Sequence, residues 1–504
     1  MKLRSGWLVV FFVTLLSFVM VSRPSYPQQK QQKKVKAQMT MSKDEVPVTT
    51  KSQDARQKYL EGMQFMWNLQ ADKARASFQD AVQKDPDFAL GYMGLAMTRG
   101  KFSDSKQDYD KAESLMDKVS EGEKQLVTFT KSQFEGNTAK AKEALDKLLS
   151  MFPKDKMVQT YAGNFENFVK QDYDAAISHY QKAIAIDKNF APAYNIMGYA
   201  YSSKNDFKKA EAAFKKYISL IPDNPNPYDS YGELLLKYGK YDESIKQYQK
   251  ALKIDPNFWS SYEGLGNNYV FKDNFSKARE TYQQLFDKAT VPNWKLAALF
   301  DQATSFVREG DINNALTELD KRAALAEKEG NPVAAATSYG NKGFILVESG
   351  KPEEAMKQFD KAKETIESSD LPDQLKKNLT AFANLLRVYG MTAQGKTDEA
   401  KSELDNKDKL IGGSTDPGVE KNYESFMGYL ALKQNNYDEA LAHFQKGDIQ
   451  DPFDWYYMSQ AYEKKGETDK AAKLVDKIHK SNLNSMNLAI AHYKTQTTVT
   501  KGTK

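Results

Sequence analysis

The chain has 504 residues and no cysteine, which excludes thiol catalysis, structural disulfides, cysteine zinc sites and a lipid-modified N-terminal cysteine. The net charge of +5 is an end effect: residues 1–37 hold seven basic residues (Lys2, Arg4, Arg23, Lys30, Lys33, Lys34, Lys36) and no acid, so the rest carries 65 basic against 67 acidic residues, a net of −2. A near-neutral body with interspersed signs gives no electrostatic footprint for nucleic acid, and the length admits two or three ordinary domains or one repeat array.

The N-terminal stretch MKLRSGWLVVFFVTLLSFVMVSR has a basic start and an apolar run from Trp7 to Val21. That layout reads as an export signal over residues 1–22. The run is shorter than the roughly 20 residues of a full membrane span. Ser22, Arg23 and Pro24 make a poor cleavage site, so cleavage and retention as a membrane tether through residues 7–21 both stay open. Residues 23–53 are rich in Gln, Lys and Ser/Thr, cannot bury a core, and are expected to be a flexible linker.

From residue 54 onward the chain repeats itself. Ala176/Tyr180, Ala210/Phe214, Ser244/Tyr248 and Ala278/Tyr282 recur at a period of 34. Gly198, Gly232 and Gly266 precede three of these by twelve residues, and Tyr194, Tyr228 and Tyr262 precede each glycine by four. Pro222 and Pro256 close two of the units. Gly62, Ala74, Phe78, Ala81 and Pro86 form the same unit earlier; Gly343, Ala355, Phe359 and Ala362, and Gly428, Ala440, Phe444 and Pro452, form it later. Each unit holds two apolar-periodic stretches around a polar turn, hence two antiparallel helices. Glycine and alanine admit a close neighbour, and the aromatic ring fills the gap. Neither helix can bury its stripe alone, so neighbours must stack.

On these residues the chain resembles the tetratricopeptide repeat family over about residues 54–480. The resemblance is most specific in 157–292, and degenerate units fit around Ala112, Ala141, Ala315, Ala400 and Ala471. It implies an all-α fold, a right-handed solenoid of about ten to twelve antiparallel helix pairs. A regular array is expected over 54–292 and longer, degenerate repeats over 293–480. The spacing of 45 between Ala355 and Ala400 calls for longer helices or loops there. Residues 481–504 read as a capping helix followed by a frayed tail from Thr495.

One stretch imitates a phosphate-binding loop. Gly390, Gly395, Lys396 and Thr397 fit G-x-x-x-x-G-K-[ST]. In register, however, GKTDEA is the counterpart of GKYDES, GKPEEA, GETDKA, NNYDEA, NDFKKA and GDINNA, each the turn between the helices of a unit. Glycine or asparagine ends the first helix in a left-handed conformation. Thr397 is expected to cap the second helix, and Asp398 and Glu399 occupy its positive end, where they would repel phosphate. Leu379, Phe382, Leu385, Leu386 and Tyr389 upstream follow helical rather than strand spacing.

No other motif carries chemistry. The four histidines, His179, His443, His479 and His492, have no metal spacing, and neither H-E-x-x-H nor G-x-S-x-G occurs. No catalytic, cofactor or metal site is expected. The family resemblance places positions 2, 5, 9, 12 and 13 of each unit on a groove lined by first helices. Counted from residues 55, 191, 225, 259 and 421, that groove includes Tyr59, Met63, Met66, Trp67, Asn195, Tyr199, Asp229, Glu233, Glu263, Asn267, Phe271, Ser425 and Tyr429. The family's carboxylate clamp uses Lys, Arg and Asn. Asn195 fits it, but Asp229, Glu233 and Glu263 have the wrong sign, which favours a neutral or basic ligand segment over an acidic C-terminus. The expected function is a protein-binding scaffold or assembly factor outside the cytoplasm, in a periplasm or on the outer face of a cell membrane, with the look of a bacterial envelope protein. A regulatory adaptor docking a signalling enzyme, and an envelope enzyme hidden in 295–425, are the alternatives.

Overall fold

Every regular element among the described residues is a helix. The computed structural model describes residues 43–501. The apolar segment at 1–22, and residues 23–42 of the linker, lie outside them. The described chain falls into two compact units, 43–133 with 139–200, and 134–138 with 201–501.

The first unit holds α1 (Gln53–Trp67), α2 (Ala71–Lys84), α3 (Ala89–Ala96), α4 (Phe102–Ser114), α5 (Glu121–Phe134), α6 (Thr138–Met151), α7 (Lys156–Asn164), α8 (Tyr173–Ile186) and most of α9 (Ala191–Ser203). The second holds α10 (Phe207–Leu220), α11 (Asn226–Lys237), α12 (Tyr241–Ile254), α13 (Trp259–Phe271), α14 (Phe275–Lys288), α15 (Pro292–Glu309), α16 (Ile312–Lys328), α17 (Pro332–Glu348) and α18 (Pro352–Glu367). It continues with α19 (Asp373–Ala393), α20 (Thr397–Asp405), α21 (Lys407–Ile411), α22 (Pro417–Lys433), α23 (Tyr437–Lys446), α24 (Pro452–Lys464), α25 (Thr468–His479) and α26 (Met486–Lys501). Setting aside the short α21 and the terminal α26, these make twelve successive pairs.

The residues that set the period also set the packing. Ala74, Ala176, Ala210, Ala278, Ala355, Ala400 and Ala440 are all fully buried. The aromatic four residues on lies against a glycine of the first helix. A Cβ on Gly266 would fall 2.1 Å from the Tyr282 ring, on Gly163 2.3 Å from Tyr180, and on Gly343 2.2 Å from Phe359. No side chain fits at those crossings, so each glycine admits the ring that locks its pair. First helices also touch one another, α11 with α13, α13 with α15 and α17 with α19. The wide spacing between Ala355 and Ala400 comes from the 16-residue α18 and the 21-residue α19, and beyond Ala400 the second helix is broken into α20 and α21.

Two expectations about the chain ends change. The last part of the linker is not flexible. The Val46 amide donates to Asp155 at 2.8 Å, the Thr49 amide and hydroxyl donate to Glu123 at 2.6 and 2.7 Å, and the Thr50 hydroxyl and Lys51 amide donate to Asp85 at 2.5 and 2.9 Å. Asp155 and Asp85 sit where helices begin or end, so their carboxylates serve a cap and the strap at once: Asp155 also accepts from Met157 and Val158, the first turn of α7. The expected frayed tail is helical to Lys501.

Candidate peptide-binding face

The turn that imitates a phosphate loop is a helix terminator. Gly395 has φ +80°, its amide donates to Thr392 O and the Lys396 amide to Met391 O, both at 3.1 Å. The same paired bonds close the helices before Gly239, Gly350 and Gly466. Thr397 is the first residue of α20 rather than its cap, and Lys396 in the cap position makes no side-chain capping bond. The segment before Gly390 is the long helix α19, so the strand that a phosphate loop requires is replaced by a helix. Among the described residues no three His, Asp or Glu stand arranged to hold a metal ion.

The projected groove residues separate into two kinds. Tyr59 is 4% exposed, its ring 5.4 Å from Phe88 and 5.8 Å from Phe78, and Met63 and Met66 are buried beside it. Tyr429 is 3% exposed, with Tyr389 at 4.7 Å and Tyr457 at 4.8 Å. Phe271 is buried against Leu236 and Leu488. These are core residues. At Tyr429, aromatic side chains of the first helices α19 and α24 fill the space that family register leaves open. Ser425 is spent on a 2.6 Å bond to Asp454. In the first unit, Trp67 is half-buried with Tyr161 5.6 Å from its ring, Asn195 is buried, and Tyr199 is half-buried.

What remains is a line of acids across α11, α13 and α15 of the second unit. Asp229 is buried and accepts from the Ser261 hydroxyl at 2.6 Å. Burial pushes its carboxyl up to about 7, with the exposed Glu233 carboxylate adding to the shift. Glu263 keeps partial solvent exposure yet is surrounded by protein; burial, with Asp229 and Glu233 adding to it, raises it to about 7. Asp301 is 3% exposed and is raised well above the ordinary carboxylate range by burial and by Glu263. One of its oxygens accepts from the Asn484 amide at 2.9 Å and the other has no hydrogen-bond partner. The nearby cations are committed. Lys237 bonds Ser202 and falls to about 8 through burial. The Arg322 guanidinium is held by Leu296 O, Ala334 O and Ser338 at 2.7–3.1 Å. Asn267 lies in the same row and accepts from Tyr282 at 2.6 Å.

The structure thus brings together Asp229, Glu233, Glu263 and Asn267, and adds Asp301, which sequence reading passed over. The signal was present: Asp301 stands 34 residues after Asn267, one further step of the same period.

TPR repeat family models match residues 168–205 and 232–272, and tetratricopeptide repeat models match 191–224 and 336–368. These segments of the chain carry tetratricopeptide repeats. Among curated proteins it is similar to anaphase-promoting complex subunit 3 of Schizosaccharomyces pombe, 26% identical over 220 residues, covering 41% of this chain and 31% of that one. It is also 25% identical over 247 residues to the Hsp70-Hsp90 organizing protein of Triticum aestivum, covering 49% and 39%. The chain therefore spans less than two fifths of the length of these relatives. Of solved structures it is similar to PilW, a type IV pilus biogenesis factor, at 18% identity over 47% of this chain and 94% of that one, TM-score 0.30. It is likewise similar to YrrB, a TPR protein with an unusual peptide-binding site, at 19% identity over 36% and 92%, TM-score 0.26.

Proposed function

We propose that this protein is a protein-binding scaffold that performs no chemistry of its own, and that the row of first helices α11, α13 and α15 receives a basic segment of its partner. The observation that carries this is the acid line itself. Asp229, Glu263 and Asp301 are held near one another on adjacent helices, each raised by burial and by its acidic neighbours. A lysine or arginine side chain laid along the line relieves that repulsion and lets the carboxylates ionise, so binding releases protons. The repeats support the reading, since the Hsp70-Hsp90 organizing protein, to which the chain is similar, bears a name that describes protein partners.

The test uses a labelled lysine-rich peptide and the full chain. Affinity is expected to fall with added salt and to rise from pH 5.5 to 8. Glu233→Lys with Glu263→Lys is expected to weaken binding at least tenfold at unchanged helicity. Equal binding by the double variant refutes the placement.

The location belongs to the same proposal. The basic, apolar N-terminus supports work outside the cytoplasm, in a periplasm or at the outer face of a cell membrane. Fractionation of the tagged protein tests it: full-length soluble protein in the cytoplasm overturns it, and N-terminal sequencing of the exported form distinguishes cleavage from tethering.

A further inference from the structure

The C-terminal helix α26 does more than cover the last repeat. Met486, Leu488, Ala489, Ile490, Ala491 and His492 are each at most 5% exposed. The first two turns of the helix are thus enclosed almost all round, as in a helix that lies inside a protein rather than on its end. Beyond its sequence neighbour α25, it packs against α15, α17 and α24, all first helices. Leu488 and Ala491 join Leu236 of α11, Phe271 of α13 and Trp455 of α24. Met486, Ala489 and Ile490 join the cluster that contains Ala303 and Val307 of α15 and Phe344 of α17.

The polar contacts are spread in the same way. Asn482 accepts from the Tyr241 hydroxyl at 2.8 Å, and Asn484 donates to Asp301 at 2.9 Å. Asn487 donates to both oxygens of Asp451 at 3.0 and 2.8 Å. Lys494 reaches the Glu348 backbone carbonyl at 2.8 Å and its carboxylate at 3.2 Å. The Tyr389 hydroxyl holds the same carboxylate at 2.7 Å, and the Tyr457 hydroxyl also donates to it. Residues 480–485, which carry no helix, connect α25 to this seat.

We propose that the face formed by α11, α13, α15, α17 and α24 is a helix-binding surface, and that α26 occupies it in cis as a stand-in for a partner helix. The partner is a helix of matching chemistry: small and medium apolar side chains on the helix, an asparagine just ahead of its first turn for Asp301, and a lysine ten residues further on for Glu348. Two features argue for a ligand-like seat. The contacts made by this one short segment span five pairs separated by up to about 220 residues of chain. Its specificity rests on asparagine and lysine side chains meeting carboxylates, which a second helix can reproduce. The proposal rests on the reading of the first-helix face as a binding surface. It also makes the Asp301 end of the acid line available only when α26 leaves.

The experiment uses the full chain with Lys494→Glu, which sets a carboxylate against the nearly buried Glu348, and separately with Asn484→Asp, which does so against Asp301. The probe is a fluorescent synthetic peptide of residues 481–501 with the natural sequence. Wild type is expected to bind it weakly. Each variant is expected to bind at least tenfold more tightly, with amide exchange in 486–496 accelerated tenfold or more while α15 and α17 stay protected. Two variants guard against one that fails to fold. If α15 and α17 lose protection together with α26, the helix is an inseparable part of the core and the proposal fails. It fails equally if α26 is released but the peptide does not bind, or if neither variant releases it. A dimer held by exchanged α26 helices overturns the commitment to a foreign partner. Salt-dependent binding of the lysine-rich peptide that Glu233→Lys with Glu263→Lys abolishes would survive any of these failures, so the two readings fall separately.

Discussion

Gly266→Ala tests whether the glycine–aromatic crossing is what closes a helix pair. An added Cβ would lie 2.1, 2.6 and 2.7 Å from three carbons of the Tyr282 ring. Tyr282 is fully buried and its hydroxyl is bound to Asn267 at 2.6 Å, so the ring cannot swing aside. Helices α13 and α14 must part instead. Overpacking of this kind costs about 1–3 kcal/mol, and straining the Tyr282–Asn267 bond adds up to about 1 kcal/mol. Against this, alanine in a helix interior gains about 0.5–1 kcal/mol over glycine. The expected net is a loss of about 1–2 kcal/mol, read as a lower denaturant midpoint. Long arrays unfold in parts, so hydrogen exchange in α13 and α14 is followed alongside the global transition. A double-mutant cycle with Tyr282→Leu is expected to show coupling of about 1 kcal/mol or more, because the smaller side chain makes room. A Gly266→Ala variant as stable as wild type, with no coupling to position 282, would refute the packing argument.

Asp229→Asn should flatten the pH dependence of stability. The folded carboxyl titrates near 7, above its unfolded value, so its contribution is complete below about pH 4 and is lost as pH rises through 7. The amide keeps a carbonyl for Ser261, and the stability gained by the variant over wild type is expected to be about 2–3 kcal/mol larger at pH 8 than at pH 5, by urea titration at both values. Equilibrium binding of labelled ATP should be undetectable at millimolar concentration, and Lys396→Ala should shift stability by less than about 0.5 kcal/mol; micromolar ATP binding lost in that variant would reverse the assignment of the turn. Asp85→Ala removes the acceptor of Thr50 and Lys51. It should cost about 1–3 kcal/mol and make residues 43–52 the first site of limited proteolysis; a strap that stays protected in the variant would show that these bonds do not hold it.

The repeat was legible because its determinants are local. A small residue, an aromatic four positions later and a glycine at the turn must recur wherever one helix pair meets the next, so Ala210, Phe214, Gly266 and Tyr282 could be placed from spacing alone. The same periodicity disposed of the phosphate loop, since Gly395–Lys396–Thr397 occupies a turn that its counterparts fill without any phosphate motif. The acids Asp229, Glu233 and Glu263 were found by register, and Asp301 was one period further on. What spacing could not convey is which positions on the first-helix face stay open. Tyr59, Phe271 and Tyr429 stand in groove register but are closed over by Phe88, Leu488, Tyr389 and Tyr457. Those neighbours come from other pairs or from the C-terminal helix. Likewise Thr50 meets Asp85 across 35 residues, and Lys494 meets Glu348 across 146. A period records contacts between neighbours because the same contact is made again in each unit. A contact made once, between segments far apart in the chain, leaves no repeat in the sequence, and only the folded packing decides it.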